Sequence, residues 1–132
     1  MTAINLPVTS VAAICSGLIL LLLTWKVIRL RRKGGVVLGD NDDRILAKAI
    51  RGQANAAEQL PMALILMGLA ELQGTDTVVL AALALLLIAG RSLHAIYFAI
   101  HGSTWRLRFH GMLMTLFAQA GLVLLLAVSL LI

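Results

Sequence analysis

Four long apolar stretches separated by short polar ones organise this chain. They run roughly over Leu6–Trp25, Ile45–Leu72, Val78–Ile100 and Gly111–Ile132. Each is about as long as the ~20 residues a helix needs to cross the hydrocarbon core of a bilayer. No stretch alternates apolar and polar residues as a barrel strand would, and only two prolines interrupt the pattern. The expected fold is therefore all-α, an integral membrane four-helix bundle in one domain spanning residues 1–132. The second stretch differs from the others. Its mainly apolar part, Leu60 to Leu72, covers only 13 positions. The helix crosses a membrane only if the polar segment before it, Arg51-Gly-Gln53-Ala-Asn55-Ala-Ala-Glu58, enters too. Pro61 removes the hydrogen bond to the carbonyl of Ala57 and predicts a kink beside Glu58.

Composition agrees with this reading. Of 132 residues, 61% are hydrophobic and the mean hydropathy is +0.98. Leu6–Leu23 lacks the basic leader of a signal peptide, and the basic residues follow it, so it reads as a retained span. The lone Cys15 cannot form an intrachain disulfide and reads as a small packing residue.

Charge placement sets the expected orientation. The 11 Lys and Arg fall in three patches: Lys26–Lys33 with Arg44, Lys48 and Arg51; Arg91; and Arg106 with Arg108. The connection Gln73-Gly-Thr-Asp76-Thr carries none. By the positive-inside rule the loops after spans one and three are cytoplasmic, and both termini lie on the non-cytoplasmic side. The net charge of +5 favours anionic headgroups or ligands. No aromatic interleaving or nucleic-acid fold accompanies it, so no nucleic-acid partner is expected. Asp40-Asn-Asp-Asp43 is expected to cap the second helix, and Gly74 to end it. No metal-ligand spacing is present.

Intramembrane polar residues carry the chemistry. Arg51, Asn55 and Glu58 stand at i, i+4 and i+7, which stacks cation, amide and anion on one helical face. Arg51 and Glu58 are about 10 Å apart along the axis and need other partners. Two readings stay open: a salt-bridge network that holds the bundle, or a site for a zwitterionic, net anionic ligand with Arg on a carboxylate and Glu on an ammonium. In span three, Arg91, His94 and Phe98 stand at i, i+3 and i+7 at the same depth, and Glu58 is the expected partner of Arg91, within a chain or across subunits. Trp105 reads as an interfacial anchor. Arg106 and Arg108 precede span four, where cation and positive helix end together suit an anion or a thiolate. The polar face of span two exceeds what one small subunit encloses, which points to an oligomer.

Arg51-x-Gln53-x-Asn55-x-x-Glu58-x-x-Pro61 followed by Ala70-Glu71-Leu72-x-Gly74 resembles the signature of the MAPEG family, the membrane-associated proteins in eicosanoid and glutathione metabolism. Ala89-Gly90-Arg91-x-x-His94 and the Arg106/Arg108-to-Gly111 segment resemble its bacterial branch. The resemblance implies a left-handed four-helix bundle assembled as a homotrimer in an inner membrane, with glutathione as co-substrate bound between subunits near the cytoplasmic face. Arg51, Asn55 and Glu58 would hold the tripeptide with Arg91 and His94 beside them, Gln53 would come from a neighbouring chain, and Arg108, with Arg106 second, would stabilise the thiolate. The implied activity is glutathione transfer to hydrophobic electrophiles reaching the site among membrane lipids, or peroxidase chemistry on lipid hydroperoxides. Gln59, His94 and Phe98 depart from the tyrosines of eicosanoid-synthesising members, which argues against a specialised synthase. The family also contains a non-catalytic lipid-binding member, so that role is the alternative. A small multidrug exporter would carry an acid in its first span, and Leu6–Trp25 has none.

Overall fold

The computed structural model describes residues 5–131, and in them the chain forms four helices: α1 (Pro7–Gly34), α2 (Arg44–Leu72), α3 (Thr77–Ala99) and α4 (Trp105–Ser129). Residue 132, expected at the end of the fourth span, lies outside the described residues. No strand occurs among the described residues. Short connections force sequential helices to run antiparallel. The loops α1–α2 and α3–α4 therefore share one end of the bundle, here called the basic end. The α2–α3 turn and the start of α1 share the far end. α1 packs on α2 and α3, α4 packs on the opposite side of the same pair, and α1 does not meet α4 among the described residues.

Helix ends follow local chemistry. The Asp43 carboxylate accepts from the N–H groups of Ile45 (2.8 Å) and Leu46 (3.3 Å), the expected cap of α2. Asp76 does the same for α3 through Val78 and Val79. α2 stops in a Schellman motif: Thr75 N–H reaches the Ala70 carbonyl and Gly74 N–H that of Glu71. Gly74 takes the left-handed φ of 76° that this ending requires. Two helices are longer than their apolar runs. α1 continues nine residues past Trp25 because Arg31, Arg32 and Lys33 are good helix formers placed at its negative end. α4 starts at Trp105 rather than Gly111, capped by Thr104. α2 continues through Pro61 as one helix, and the Gln119 side chain donates to the Gln59 carbonyl nearby (3.1 Å).

α1, α3 and α4 are long and apolar enough to cross a membrane. α2 is not, because its first half is polar; its 29 residues still run alongside the other three. It turns a stripe inward that includes Ala49, Gly52, Ala56, Leu60, Ala63, Met67 and Ala70, at spacings of three and four. Small residues let helix backbones approach where lipid offers no hydrophobic drive to association. The core has two parts. Toward the far end Ala63, Met67, Leu80, Leu87, Ala118 and Leu122 pack together. Toward the basic end Leu23, Ala56, Leu60 and Phe98 do. Between α3 and α4, Gly90 and Gly111 face one another; a Cβ on Gly90 would lie 2.8 Å from the Gly111 carbonyl oxygen, and one on Gly111 would lie 2.6 Å from that of Gly90. Arg91 follows Gly90 directly, and Arg108 stands three residues before Gly111.

Candidate functional site

The site grows from three helices at the basic end. α2 supplies Lys48, Arg51 and Asn55, at i, i+3 and i+7 on one face. α3 supplies His94, Tyr97 and Phe98, and α4 supplies Arg108 and Met112. Together these side chains line one cavity of about 360 Å³, within the range of small-molecule sites. Gly52 makes the arrangement possible: a Cβ there would stand 2.4 Å from Phe98 Cβ, so only glycine lets Phe98 press against α2. Phe98 is then a floor for the polar groups. Its ring lies 4.9 Å from that of His94 and 4.9 Å from that of Tyr97, and the Arg108 guanidinium stands 5.9 Å from its centroid.

Three cations, Lys48, Arg51 and Arg108, line this cavity, and no carboxylate does. Lys48 is partly engaged. Its Nζ donates to the Ile100 carbonyl and to Ser103 Oγ, both at 3.3 Å, and sits 4.0 Å from the Tyr97 ring centroid. Lys26 donates to the Ala99 carbonyl. The two lysines thus satisfy the free carbonyls at the end of α3, whose own last turn carries no base. At the start of α4 no acid balances the helix dipole. Arg106 and Arg108 fall within its first turn, where their charges add to the positive helix end.

Behind the cavity wall Arg91 is fully buried, at 0% exposure. Its Nη1 donates to Asn55 Oδ1 at 3.0 Å, while Nε and Nη2 are buried without a partner. His94 Nδ1 is buried and unpartnered as well. Within one chain the partner of Arg91 is therefore Asn55 and not Glu58. Depth put Arg91 and Glu58 level, but Glu58 projects from an exposed face of α2 and Asn55 from the face turned toward α3.

Of the residues expected from the sequence, the structure brings Arg51, Asn55, His94 and Arg108 to one cavity and sets Arg91 directly behind Asn55. It does not bring Gln53, Glu58 or Arg106 to that lining. The sequence reading missed Lys48 and Tyr97 as lining groups. Lys48 was detectable, since it stands three residues before Arg51 on the same helical face. It also missed Glu71 at the far end. There Oε1 accepts from Val8 N–H and Oε2 from Thr9 N–H, each at 2.9 Å, which caps α1 from 62 and 63 residues away. α1 has no side-chain cap of its own. Among the described residues no group of three or more potential metal ligands occurs.

A helical membrane bundle with a cationic, ligand-sized cavity at its basic end is the class that fold and site define. The chain belongs to the MAPEG family, whose sequence profile matches residues 9–128. It is 35% identical over 105 residues to the inner membrane protein YecN of Escherichia coli strain K12, covering 80% of this chain and 79% of that one. The YecN of Escherichia coli O6:H1, strain CFT073, matches with the same identity and coverage. The inner-membrane relatives and three helices long and apolar enough to cross a membrane together support an integral inner-membrane protein.

Proposed function

We propose that this protein is a membrane-bound glutathione transferase, working as a homotrimer with its basic end and its site toward the cytoplasm. The observation that carries the reading is the single cavity in which Arg51, Asn55, His94 and Arg108 meet with Lys48 and without a carboxylate. Glutathione is a net anion with two carboxylates, one ammonium and a thiol. Guanidinium groups suit its carboxylates and Asn55 its amides. The ammonium would fall to Glu58, which stands outside the cavity of one chain and is free to serve a site completed by a neighbour. Gln53 is in the same position.

Arg108 is the group best placed to favour the thiolate. It lines the cavity, it sits in the first turn of α4, and no acid neutralises it. A thiol with an ordinary pKa near 8.5 ionises more readily beside such positive potential. The thiolate sulfur then attacks the electrophilic carbon of an apolar substrate. A C–S bond forms, the bond to the leaving group breaks, and the departing anion takes the electron pair. A second cavity of about 370 Å³, walled by Trp105, Phe109, Leu113 and Leu116, shares Arg108 and Met112 with the first. It supports delivery of the electrophile from the bilayer to the same arginine. Holding the two reactants side by side supplies much of the acceleration, since proximity and orientation turn a bimolecular step into a local one.

The test uses purified protein in mild detergent. Added glutathione should show ultraviolet thiolate absorbance near neutral pH and should be consumed with a chromogenic aryl halide. Glutathione binding without thiolate absorbance or turnover, or no glutathione binding at all, would replace the transferase by the non-catalytic lipid-binding or scaffold alternative.

A further inference from the structure

A second basic feature lies on the other side of the bundle, between α1 and α3. Leu22, Trp25, Lys26, Arg29, Arg32 and Lys33 occupy positions i, i+3, i+4, i+7, i+10 and i+11, one continuous stripe of α1. With Ala99 of α3 as part of the opposite wall they line a groove of about 800 Å³. Lys26 spans the groove base by donating to the Ala99 carbonyl. Arg31, on another face, donates to the Gly39 carbonyl at 2.8 Å. The described structure gives the side chains of Arg29, Arg32 and Lys33 no protein acceptor. The groove shares no lining residue with the cavity around Arg108.

Its polarity changes along the helix. Leu22 and Trp25 are 70% and 59% exposed and lie within the apolar part of the span. From Lys26 onward the α1 lining is cationic through Lys33, with Leu30 the apolar residue among them. α1 is 28 residues long, about 42 Å at 1.5 Å per residue, against a hydrocarbon core of about 30 Å. Its last two turns therefore stand at the headgroup level while Leu22 stands among acyl chains, with Trp25 at the boundary where indole rings prefer to sit. An occupant that meets both halves must join a long apolar tail to an anionic head.

We propose that this groove binds an anionic glycerophospholipid, its phosphate held by Arg29, Arg32 and Lys33 and an acyl chain lying against Leu22 and Trp25. Charge complementarity selects the head, and depth in the bilayer selects the tail. A soluble phosphate would leave the apolar half empty, and a zwitterionic lipid would leave the excess cations unpaired. The site stands apart from the thiol-binding reading and does not depend on it.

Native mass spectrometry of the whole protein in mild detergent tests this with added phosphatidylglycerol or phosphatidylcholine. Phosphatidylglycerol should be retained in preference to phosphatidylcholine. Each basic residue near a membrane surface contributes about 1 kcal/mol of attraction, so each cation removed should weaken retention roughly fivefold. Arg32→Gln alone should show that single step. The triple variant Arg29→Gln/Arg32→Gln/Lys33→Gln should lose about a hundredfold. Arg44→Gln, a cation outside the groove, should change nothing. Should the triple variant insert poorly, Arg32→Gln against Arg44→Gln still decides the matter. The proposal fails if both lipids are retained alike, if Arg44→Gln matches Arg32→Gln, or if millimolar inorganic phosphate displaces the lipid. A wild-type assembly that the triple variant disperses without lipid would show that a second copy fills the groove instead.

Discussion

The two ends of the bundle treat polar groups in opposite ways. At the far end the Glu71 carboxylate meets two free N–H groups of α1, and both of its oxygens are used. At the basic end the Arg91 guanidinium meets one amide oxygen, and two of its nitrogens are buried with nothing to bond. Hydroxyls without partners occur on α1 too, at Thr9 and Ser16. An unbonded hydroxyl is far cheaper than an unpaired buried charge, however. At the far end the part-buried charge is fully met within one chain. The basic end keeps excess positive charge that only a ligand or a neighbouring subunit can meet. Completeness marks structure, and its absence marks the place to look for function.

The largest expected effect breaks the site while sparing the fold. Arg108→Ala should lower glutathione-dependent turnover on the order of 10²-fold or more, the usual consequence of deleting a group that stabilises a developing or reacting anion. Arg106→Ala, outside the cavity, should do much less. The thiolate absorbance of bound glutathione should follow the same order. Full activity in Arg108→Ala together with loss in Arg106→Ala would reverse the two roles.

Next is the α3–α4 contact on which the basic end depends. Gly111→Ala puts a Cβ 2.6 Å from the Gly90 carbonyl oxygen and 2.6 Å from the His94 nitrogen. Both are backbone atoms, so the helices must separate. A destabilisation of about 1–3 kcal/mol follows from such overpacking, read as a lower melting temperature in detergent. Gly17→Ala is the control, since a Cβ there meets nothing within 4 Å.

The far end offers the matching structural test. Glu71→Ala leaves two N–H groups of α1 without their acceptor. It should cost about 1–3 kcal/mol and leave the affinity for glutathione unchanged in the folded fraction. A loss of affinity with unchanged stability would contradict the division of labour between the two ends.

What the sequence made legible follows from the range of the physics involved. Apolar runs, the Asp43 cap and the Gly74 ending depend on residues a few positions apart, and each appears where the pattern put it. The i, i+4 spacing of Arg51 and Asn55 fixed their common face. It did not show that the cavity takes in Lys48, nor that Glu58 turns to the exposed side of α2. Composition marked where α1 and α4 turn polar but not where they stop being helical, because Lys and Arg extend a helix as readily as Leu does. Hydropathy gave the depth of Arg91 and not its direction, so Glu58 looked as available as Asn55. The Glu71 cap joins residues more than 60 positions apart, and no local pattern announces it.

The finest test of the contrast between the ends is Arg91→Leu. If the guanidinium were a structural keystone, its loss would destabilise the protein as removal of a paired charge does, by about 3–5 kcal/mol. The geometry argues otherwise. Arg91 is fully buried, and among the described residues its one protein partner is the neutral Asn55 and no acid reaches it. Replacing an incompletely compensated buried charge by an apolar side chain of similar volume is often neutral or stabilising. The ligand-free variant should therefore melt within a few degrees of the wild type. Its response to glutathione is expected to differ. Asn55 loses the bond that orients it toward the cavity, and the cavity loses positive potential behind it, so stabilisation by added glutathione should shrink by about 1 kcal/mol or more, a fivefold or larger loss of affinity. Thermal shift with and without glutathione separates the two effects in one experiment. A large drop in the ligand-free melting temperature would mean that Arg91 has an anionic partner from a neighbouring subunit, and Glu58, exposed on each chain, is the first residue to examine by a double mutant.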